Sequence, residues 1–291
     1  MTAIYLRELK AYFTSLQGYL YLALFTCVTG IFFTVIDIMY GINDFVSYVL
    51  SNSYFLIFVY CIVIPILTMR LFAEEKRHKT DQLLLTSPVS AWEIVFGKFL
   101  ASVTLFLIGL LIITIFPVII AVNGTLPVTN TISGYIGMIL FSLCMIAVGT
   151  FISSLAEEPI ISIIVSAVAG IFVLFFSNLV SLLPDGVAAT IVFLALLAIG
   201  IAVLFYIDTR KIGIALIALI VCGGLITALY FLNKEWFMYG LTNSLNWISL
   251  EKRFEEFLNG ILNLSTIVYM LSFTVFFLFA SVQVIERRRW R

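Results

Sequence analysis

The stretch Arg70–Lys98 reads RLFAEEKRHKTDQLLLTSPVSAWEIVFGK and is a polar interruption between two apolar runs, each long enough to cross a membrane. Around it, 63% of the 291 residues are hydrophobic and only 11% are charged. A soluble domain is closer to half apolar and a quarter charged, so this composition indicates a chain that lies in a lipid bilayer. The net charge is zero, which argues against a nucleic-acid partner.

Apolar runs of about 20 residues predict eight transmembrane helices, because a helix of that length crosses the hydrocarbon core. Helices are expected because open strand edges would leave backbone groups unpaired in lipid. The fold class is therefore predicted to be all-α, a polytopic membrane helix bundle that forms one domain over residues 1–291. The eight predicted spans are Tyr19–Met39, Tyr54–Leu71, Ile94–Val122, Ile132–Leu155, Ile160–Leu183, Val187–Ile207, Ile212–Leu232 and Ser265–Ile285.

The basic residues predict the orientation of these spans. With a cytoplasmic N-terminus, 13 of the 16 Lys and Arg residues lie inside, and only Lys234, Lys252 and Arg253 lie outside. Eight spans return the C-terminal sequence ERRRWR to the same side. We therefore expect a multi-pass protein of the cytoplasmic membrane with both termini in the cytoplasm.

Two amphipathic segments lie outside the predicted spans. Residues 3–16 place apolar side chains at three- and four-residue spacing, which predicts an interfacial helix; the alternative is a plain charged anchor. In residues 233–264, apolar positions from Trp247 to Leu264 follow a 3-4-3-4-3 spacing and predict an extracytoplasmic helix. That helix would either cover the exit of a translocation path or simply join two spans.

Residues 74–92 predict a polar elbow at the cytoplasmic face. Thr80 or Asp81 can cap a short crossbar helix that Ser87-Pro88 ends, because the residue before proline is pushed out of helical geometry. Ser90 and Glu93 then form a predicted capping box for a long third helix, which Pro117 is expected to kink near its outer end. The leucines Leu83–Leu85 of the crossbar contact either a protein partner or the bilayer surface.

Signatures of catalysis are missing from the sequence. The only Gly-Lys pair, Gly97-Lys98, has Trp92 where a phosphate loop needs its first glycine, and the single histidine, His78, lies in a charge run. The span centres carry no ionisable residue, which argues against a proton-coupled transporter. The sequence therefore predicts no catalytic residue, no metal site and no cofactor bound by this chain, and energy for transport would come from another chain.

The polar elbow resembles a known family. The segments FAEEKR (72–77), KTDQLLLTSPVS (79–90) and EIVFGK (93–98) are similar to the signature of type-2 ABC exporter permeases. Together with RELKAYFTS (7–15), they most resemble the gliding-motility-type permeases. The resemblance covers about residues 1–100 and is only architectural beyond them.

The resemblance implies a transmembrane subunit that pairs with a second permease, identical or related, and binds two cytoplasmic ABC ATPase subunits, which hold ATP and Mg. The segment after the second span would dock on the ATPase, with the turn after the fourth span as a second contact. The ATPase-coupling residues implied are Glu74, Glu75, Lys79, Thr80, Asp81, Gln82, Leu83, Leu84, Leu85, Ser87 and Pro88, and those of the second contact are Glu157, Glu158 and Pro159.

Alternatives remain open at the level of sequence. The same subunit could transmit ATPase work to an outer partner as a mechanical or assembly component without transport, and an intramembrane enzyme is a third reading that the missing catalytic pairs disfavour. The family's common core has six spans, so residues 187–232 are either two added spans or a hairpin that dips in from outside. Arg210 and Lys211 favour two full spans. The substrate is not encoded in any recognisable motif.

Overall fold

The computed structural model describes residues 1–42, 44–80, 82, 89–182, 186–187, 190–195, 199, 224 and 242–289. Within these ranges every regular element is helical, which confirms the predicted all-α class. The helices are α1 (Thr2–Thr14), α2 (Leu16–Met39), α3 (Val46–Leu50), α4 (Ser53–Thr68), α5 (Arg70–Arg77), α6 (Ala91–Ile113), α7 (Ile115–Asn123), α8 (Val128–Leu155), α9 (Pro159–Ser181), α10 (Leu250–Leu258) and α11 (Leu264–Arg289). Residues 242–248 are also helical.

Five or six membrane spans lie among the described residues. The helices α2, α8, α9 and α11 are each long and apolar enough to cross a bilayer, as is α6 taken with α7. The helices α4 and α5 add a sixth span if they are counted together, with a bend of 40° between them. Most residues of the other two predicted spans, Val187–Ile207 and Ile212–Leu232, lie outside the described residues, so the count of eight and the orientation of the termini stay predictions.

The described residues form two compact units. The first contains Met1–Leu174 and Arg253–Arg291, and the second contains Phe175–Lys252. In the first unit α8 is the central helix, with 78% of its membrane-spanning window buried, and it packs against α4, α5, α6 and α11. Its glycines allow this packing; at Gly149, for example, an added Cβ would lie 2.3 Å from Thr68 Oγ1 of α4.

Two of the helical segments have a proline inside them, and both are irregular before that proline. Pro117 cannot donate a backbone hydrogen bond and its ring crowds the carbonyl four residues earlier, and the helix is broken at Thr114, between α6 and α7. The break lies three residues before Pro117, and the kink itself stays a prediction. In α4, a π-helical turn at Val59–Val63 ends two residues before Pro65.

The amphipathic helix predicted in residues 233–264 is shorter than its apolar spacing predicts. Helix α10 buries Phe254 and Phe257 against α8, as expected for its apolar face. The prediction was wrong beyond Leu258, because Gly260 takes a left-handed turn with a φ of 80° and ends the helix. Ile261 and Leu264 therefore lie outside α10 and are exposed.

Candidate functional site

The predicted coupling residues are distributed around the end of α5. Glu74 and Glu75 lie on α5, Lys79 and Thr80 lie in the turn that ends it, and Gln82 is helical. The remaining predicted members, Asp81, Leu83, Leu84, Leu85, Ser87 and Pro88, lie outside the described residues. Among the described residues, the site therefore consists of α5 and the helices that contact it.

The end of α5 is a Schellman motif without glycine. Thr80 N donates to Glu75 O at 2.9 Å and Lys79 N donates to Lys76 O at 3.0 Å, which are the two hydrogen bonds that define this motif. Lys79 occupies its left-handed position with a φ of 56°, a conformation that costs a residue with a Cβ about 1–2 kcal/mol. The Thr80 hydroxyl also donates to Glu75 O, at 3.2 Å, so this residue secures the end of α5.

Four charged side chains from three helices meet beside α5, and we call them the elbow cluster: Arg7 and Glu8 of α1, Glu75 of α5 and Lys98 of α6. Lys98 Nζ lies 3.0 Å from Glu8 Oε1 and 3.0 Å from Glu75 Oε1, while its side chain is only 1% exposed. Arg7 Nη2 bridges the same two carboxylates at 2.7 and 2.8 Å. The four charges alternate in sign, so they fix α1 and α5 on the first turns of α6.

The elbow cluster keeps the Glu8 carboxylate ionised. Burial alone would raise the pKa of Glu8, but Lys98 and Arg7 outweigh burial and hold that pKa below its ordinary value of 4.5. For Arg7, burial acts to lower the pKa, and the carboxylates of Glu8 and Glu75 reverse this and raise it. The Lys98 ammonium also lies 5.2 Å from the ring centre of Phe72, so α5 surrounds it with an acidic and an aromatic group.

Helix α1 is anchored to the same place by neutral hydrogen bonds. Tyr12 is buried, and its hydroxyl donates to Leu67 O at 2.8 Å and lies 3.1 Å from Ser102 Oγ. Tyr5 OH lies 3.1 Å from Thr104 Oγ1, further along α6. The predicted amphipathic helix at residues 3–16 is therefore observed as α1, and its inward face packs on α6; its position in a membrane interface stays a prediction.

On its other side, α5 is joined to the end of α8. Lys76 Nζ donates to Ser154 O and, at 3.0 Å, to Ala156 O, so its charge caps the carbonyl end of that helix. The Ser153 hydroxyl accepts from Phe72 N at 3.1 Å and from Ala73 N at 3.3 Å, and donates to Met69 O at 3.2 Å. One serine of α8 thus satisfies backbone groups at the bend between α4 and α5.

These contacts bring the two predicted contact segments together. Glu157 and Glu158 are exposed in the turn directly after the carbonyls that Lys76 binds, and Pro159 begins α9, a position that suits its fixed φ. Because Glu75 binds the elbow cluster and its neighbour Lys76 binds α8, α5 connects both segments. Glu74 is placed differently, since it lies 3.7 Å from Arg70 of the same helix.

The predicted capping box is confirmed at the start of α6. Ser90 Oγ accepts from Glu93 N at 3.3 Å, and Ser90 N donates to Glu93 Oε2 at 3.2 Å. Arg289, near the end of α11, donates to Val89 O at 3.2 Å. The far end of the elbow is therefore fixed by α6 and α11, while its near end is fixed by α5.

Sequence reasoning missed Lys98, Lys76 and Ser153 as members of the site. The available signal was Lys98 itself, a lone lysine two turns inside an apolar helix, which needs a buried partner. The described residues contain no group of three or more His, Cys, Asp or Glu side chains able to hold a metal ion. Through these contacts, a displacement of α5 can be transmitted to α1, α6 and α8.

Comparison with known proteins identifies a family. Residues 34–194, more than half of the chain, match the model of a family described as ABC-2 family transporter protein. No curated protein and no solved structure matches the chain. The matched range includes the whole of α5, the elbow and the second contact turn.

Proposed function

The chain belongs to the ABC-2 transporter family, the membrane-spanning permease component of ABC transporters, and from this premise we propose that it is the permease of an exporter driven by a separate ATPase. Two ATPase subunits, which hold ATP and Mg, would bind two permease chains, identical or related, in the cytoplasmic membrane. The crossbar after α5 would dock on the ATPase, and the turn at Glu157–Pro159 would form the second contact.

The observation that carries this proposal is the double anchorage of α5. A docked crossbar can drive a bundle only if the helix before it is firmly attached to several spans, since a ligand shifts an equilibrium only through contacts that differ between states. Helix α5 meets this requirement through Glu75, which binds Lys98 of α6 and Arg7 of α1, and through Lys76, which binds the end of α8. Closure of the ATPase pair would therefore displace α5 and, through these contacts, α1, α6 and α8 together.

The leucines of the crossbar are the proposed docking contact. Three consecutive leucines in a polar cytoplasmic segment suit an apolar cleft on a partner. Glu157 and Glu158 are exposed carboxylates in the turn after α8, and they would contribute charge rather than apolar area. Loss of an apolar anchor from a buried contact costs about 2 kcal/mol or more.

The test is co-purification in mild detergent. We expect the tagged wild-type chain to carry an ABC ATPase with it, and Leu84→Asp to lose at least nine-tenths of that ATPase while inserting normally into membranes. Leu84→Met, which keeps an apolar side chain, is the matched control and should retain the ATPase.

Absence of any ATPase from the wild-type preparation would overturn the whole proposal. Wild-type recovery with Leu84→Asp would overturn only the docking role of the crossbar. ATPase coupling without movement of any substrate in reconstituted vesicles would replace export by mechanical work on an outer partner.

A further inference from the structure

A polar crevice lies where α1, the start of α2 and α5 meet. Its volume is about 260 Å³. The polar side chains that line it are Glu8, Thr14, Ser15, Gln17, Arg70 and Glu74. It shares Glu8 with the elbow cluster and Glu74 with the predicted coupling residues, and its lining includes neither Lys98 nor Glu75.

The charges in the crevice are incompletely matched to one another. Arg70 Nε lies 3.7 Å from Glu74 Oε2, a loose pair in which both side chains are about two-fifths exposed. The ion pairs of Glu8 with Arg7 and Lys98 both use Oε1, which leaves Oε2 as the acceptor for a further donor. The crevice therefore offers one guanidinium and two carboxylates to a ligand that carries charges of both signs.

Exposed apolar side chains follow the crevice residues Ser15 and Gln17 along the start of α2. Leu16, Tyr19 and Leu20, on the first turn of α2, are all exposed, and α2 runs from there into the membrane. A ligand that fills the polar crevice can thus extend along α2 only if it carries an apolar chain. This combination suits a lipid at the membrane surface rather than a free metabolite.

The geometry points to a phospholipid with a primary-amine headgroup, of the phosphatidylethanolamine type, as the ligand of this crevice. Its phosphate would bind Arg70, because guanidinium groups suit phosphate oxygens. Its ammonium group would lie between Glu8 and Glu74, and its acyl chains would follow the exposed face of α2. At about 260 Å³ the crevice is smaller than a pocket for a drug-sized molecule, so it holds a headgroup alone.

Other lipid headgroups fit less well. The quaternary ammonium of phosphatidylcholine has no N–H to donate to Glu8 or Glu74. Phosphatidylglycerol carries the phosphate without any cation, so the two carboxylates would face an anion. Selectivity for the amine lipid is therefore the measurable consequence of this site.

The test uses the purified full chain in detergent, stripped of lipid, with no ATPase present, so that its outcome is independent of the proposed function. The melting temperature is measured with equal mole fractions of phosphatidylethanolamine, phosphatidylcholine and phosphatidylglycerol. We expect the amine lipid to raise it by about 2–4 °C more than either other lipid. Native mass spectrometry of the unstripped protein should show the amine lipid retained.

Variants identify the crevice as the source of the effect. Glu74→Gln and Arg70→Gln should each remove most of the selective shift, since each removes one of the charges that the headgroup needs. Glu255→Gln on α10 and Arg287→Gln on α11, both exposed, are matched controls that should keep it. Equal shifts with all three lipids, or a selective shift that survives in both crevice variants, would overturn the proposal.

Discussion

Lys98 is a buried ammonium whose surroundings make it depend on its partners. Removing an ion from water costs several kcal/mol, and that cost is offset only when opposite charges and hydrogen bonds replace the water. Glu8 and Glu75 supply both, at 3.0 Å each, and they come from different helices. The position of α5 against α6 is therefore specified by one side chain, and a displaced α5 would leave a buried charge unpaired.

Replacing Lys98 with methionine should destabilise the protein by about 3–5 kcal/mol, because two partly buried carboxylates would then share only Arg7. A thermal melt in detergent measures the loss. Lys10→Met, on the exposed side of α1, is the control and should change stability by no more than about 0.5 kcal/mol.

Adding Glu75→Gln to the Lys98→Met variant should restore part of the lost stability, because it removes one of the carboxylates left without a cation. A melting temperature for Lys98→Met equal to that of the wild type would show that the elbow cluster is not a structural unit.

At the scale of elements, α8 is the helix on which the others are assembled. Gly149 and Ser153 lie four residues apart on one face of α8, and both meet the bend between α4 and α5. The glycine lets the backbones approach, and the serine satisfies the groups that the bend exposes. This face fixes where the second span bends.

Gly149→Ala should therefore destabilise the protein, by about 1–3 kcal/mol, because the new Cβ would lie 2.3 Å from Thr68 Oγ1 and 2.8 Å from Thr68 Cβ. Gly30→Ala on α2 is the matched control, since its Cβ would meet its nearest neighbour, Phe116 Cζ, at an ordinary 3.5 Å. Melting curves of the two variants should separate clearly. If they coincide, the close contact of α8 with α4 does not limit stability.

The elements that sequence predicts well are those set by local chemistry. Ser90 and Glu93 are three residues apart, so they can form the capping box as soon as a helix starts at Ala91. The effect of Pro117 on its helix is likewise confined to one turn. The end of α10 was missed although Asn259-Gly260 signals it, because the apolar spacing continues through that pair.

The contacts that assemble the site could not be predicted in this way. Lys76 and Ala156, or Glu8 and Lys98, are 80 and 90 residues apart, and which helices become neighbours depends on packing along their whole length. A buried lysine in an apolar helix shows that a partner must exist, but it does not say which acid provides it. The sequence thus predicted the capping box at Ser90, whereas the contacts of α5 with α1 and α8 emerged only from the fold.

At the scale of the whole molecule, the open question is the path of the chain between α9 and α10. The basic residues Arg210 and Lys211 predict that residues 187–232 cross the membrane twice and reach the cytoplasm between the two spans. A hairpin that only dips into the membrane would keep these residues outside. The two arrangements leave the termini on the same side, so locating the termini does not separate them.

Single-cysteine labelling separates them in a variant without the four native cysteines. Thr209→Cys should react with an impermeant maleimide from the cytoplasmic face only, like the control Glu158→Cys. Asn259→Cys, near the end of α10, should react from the opposite face. Labelling of Thr209→Cys together with Asn259→Cys would establish the dipping hairpin and reduce the bundle to six spans.

The hydrogen bonds of Ser153 to the second span also have a consequence for the biosynthesis of the protein. Phe72 N, Ala73 N and Met69 O find their partner 80 to 84 residues later in the chain, on α8. A ribosome that has just delivered α4 and α5 has not yet synthesised α8, and unpaired backbone groups in lipid are costly. The second span should therefore stay near the insertion machinery, with the backbone groups at its bend hydrated, until the fourth span is inserted. The order of synthesis thus determines when the elbow can fold.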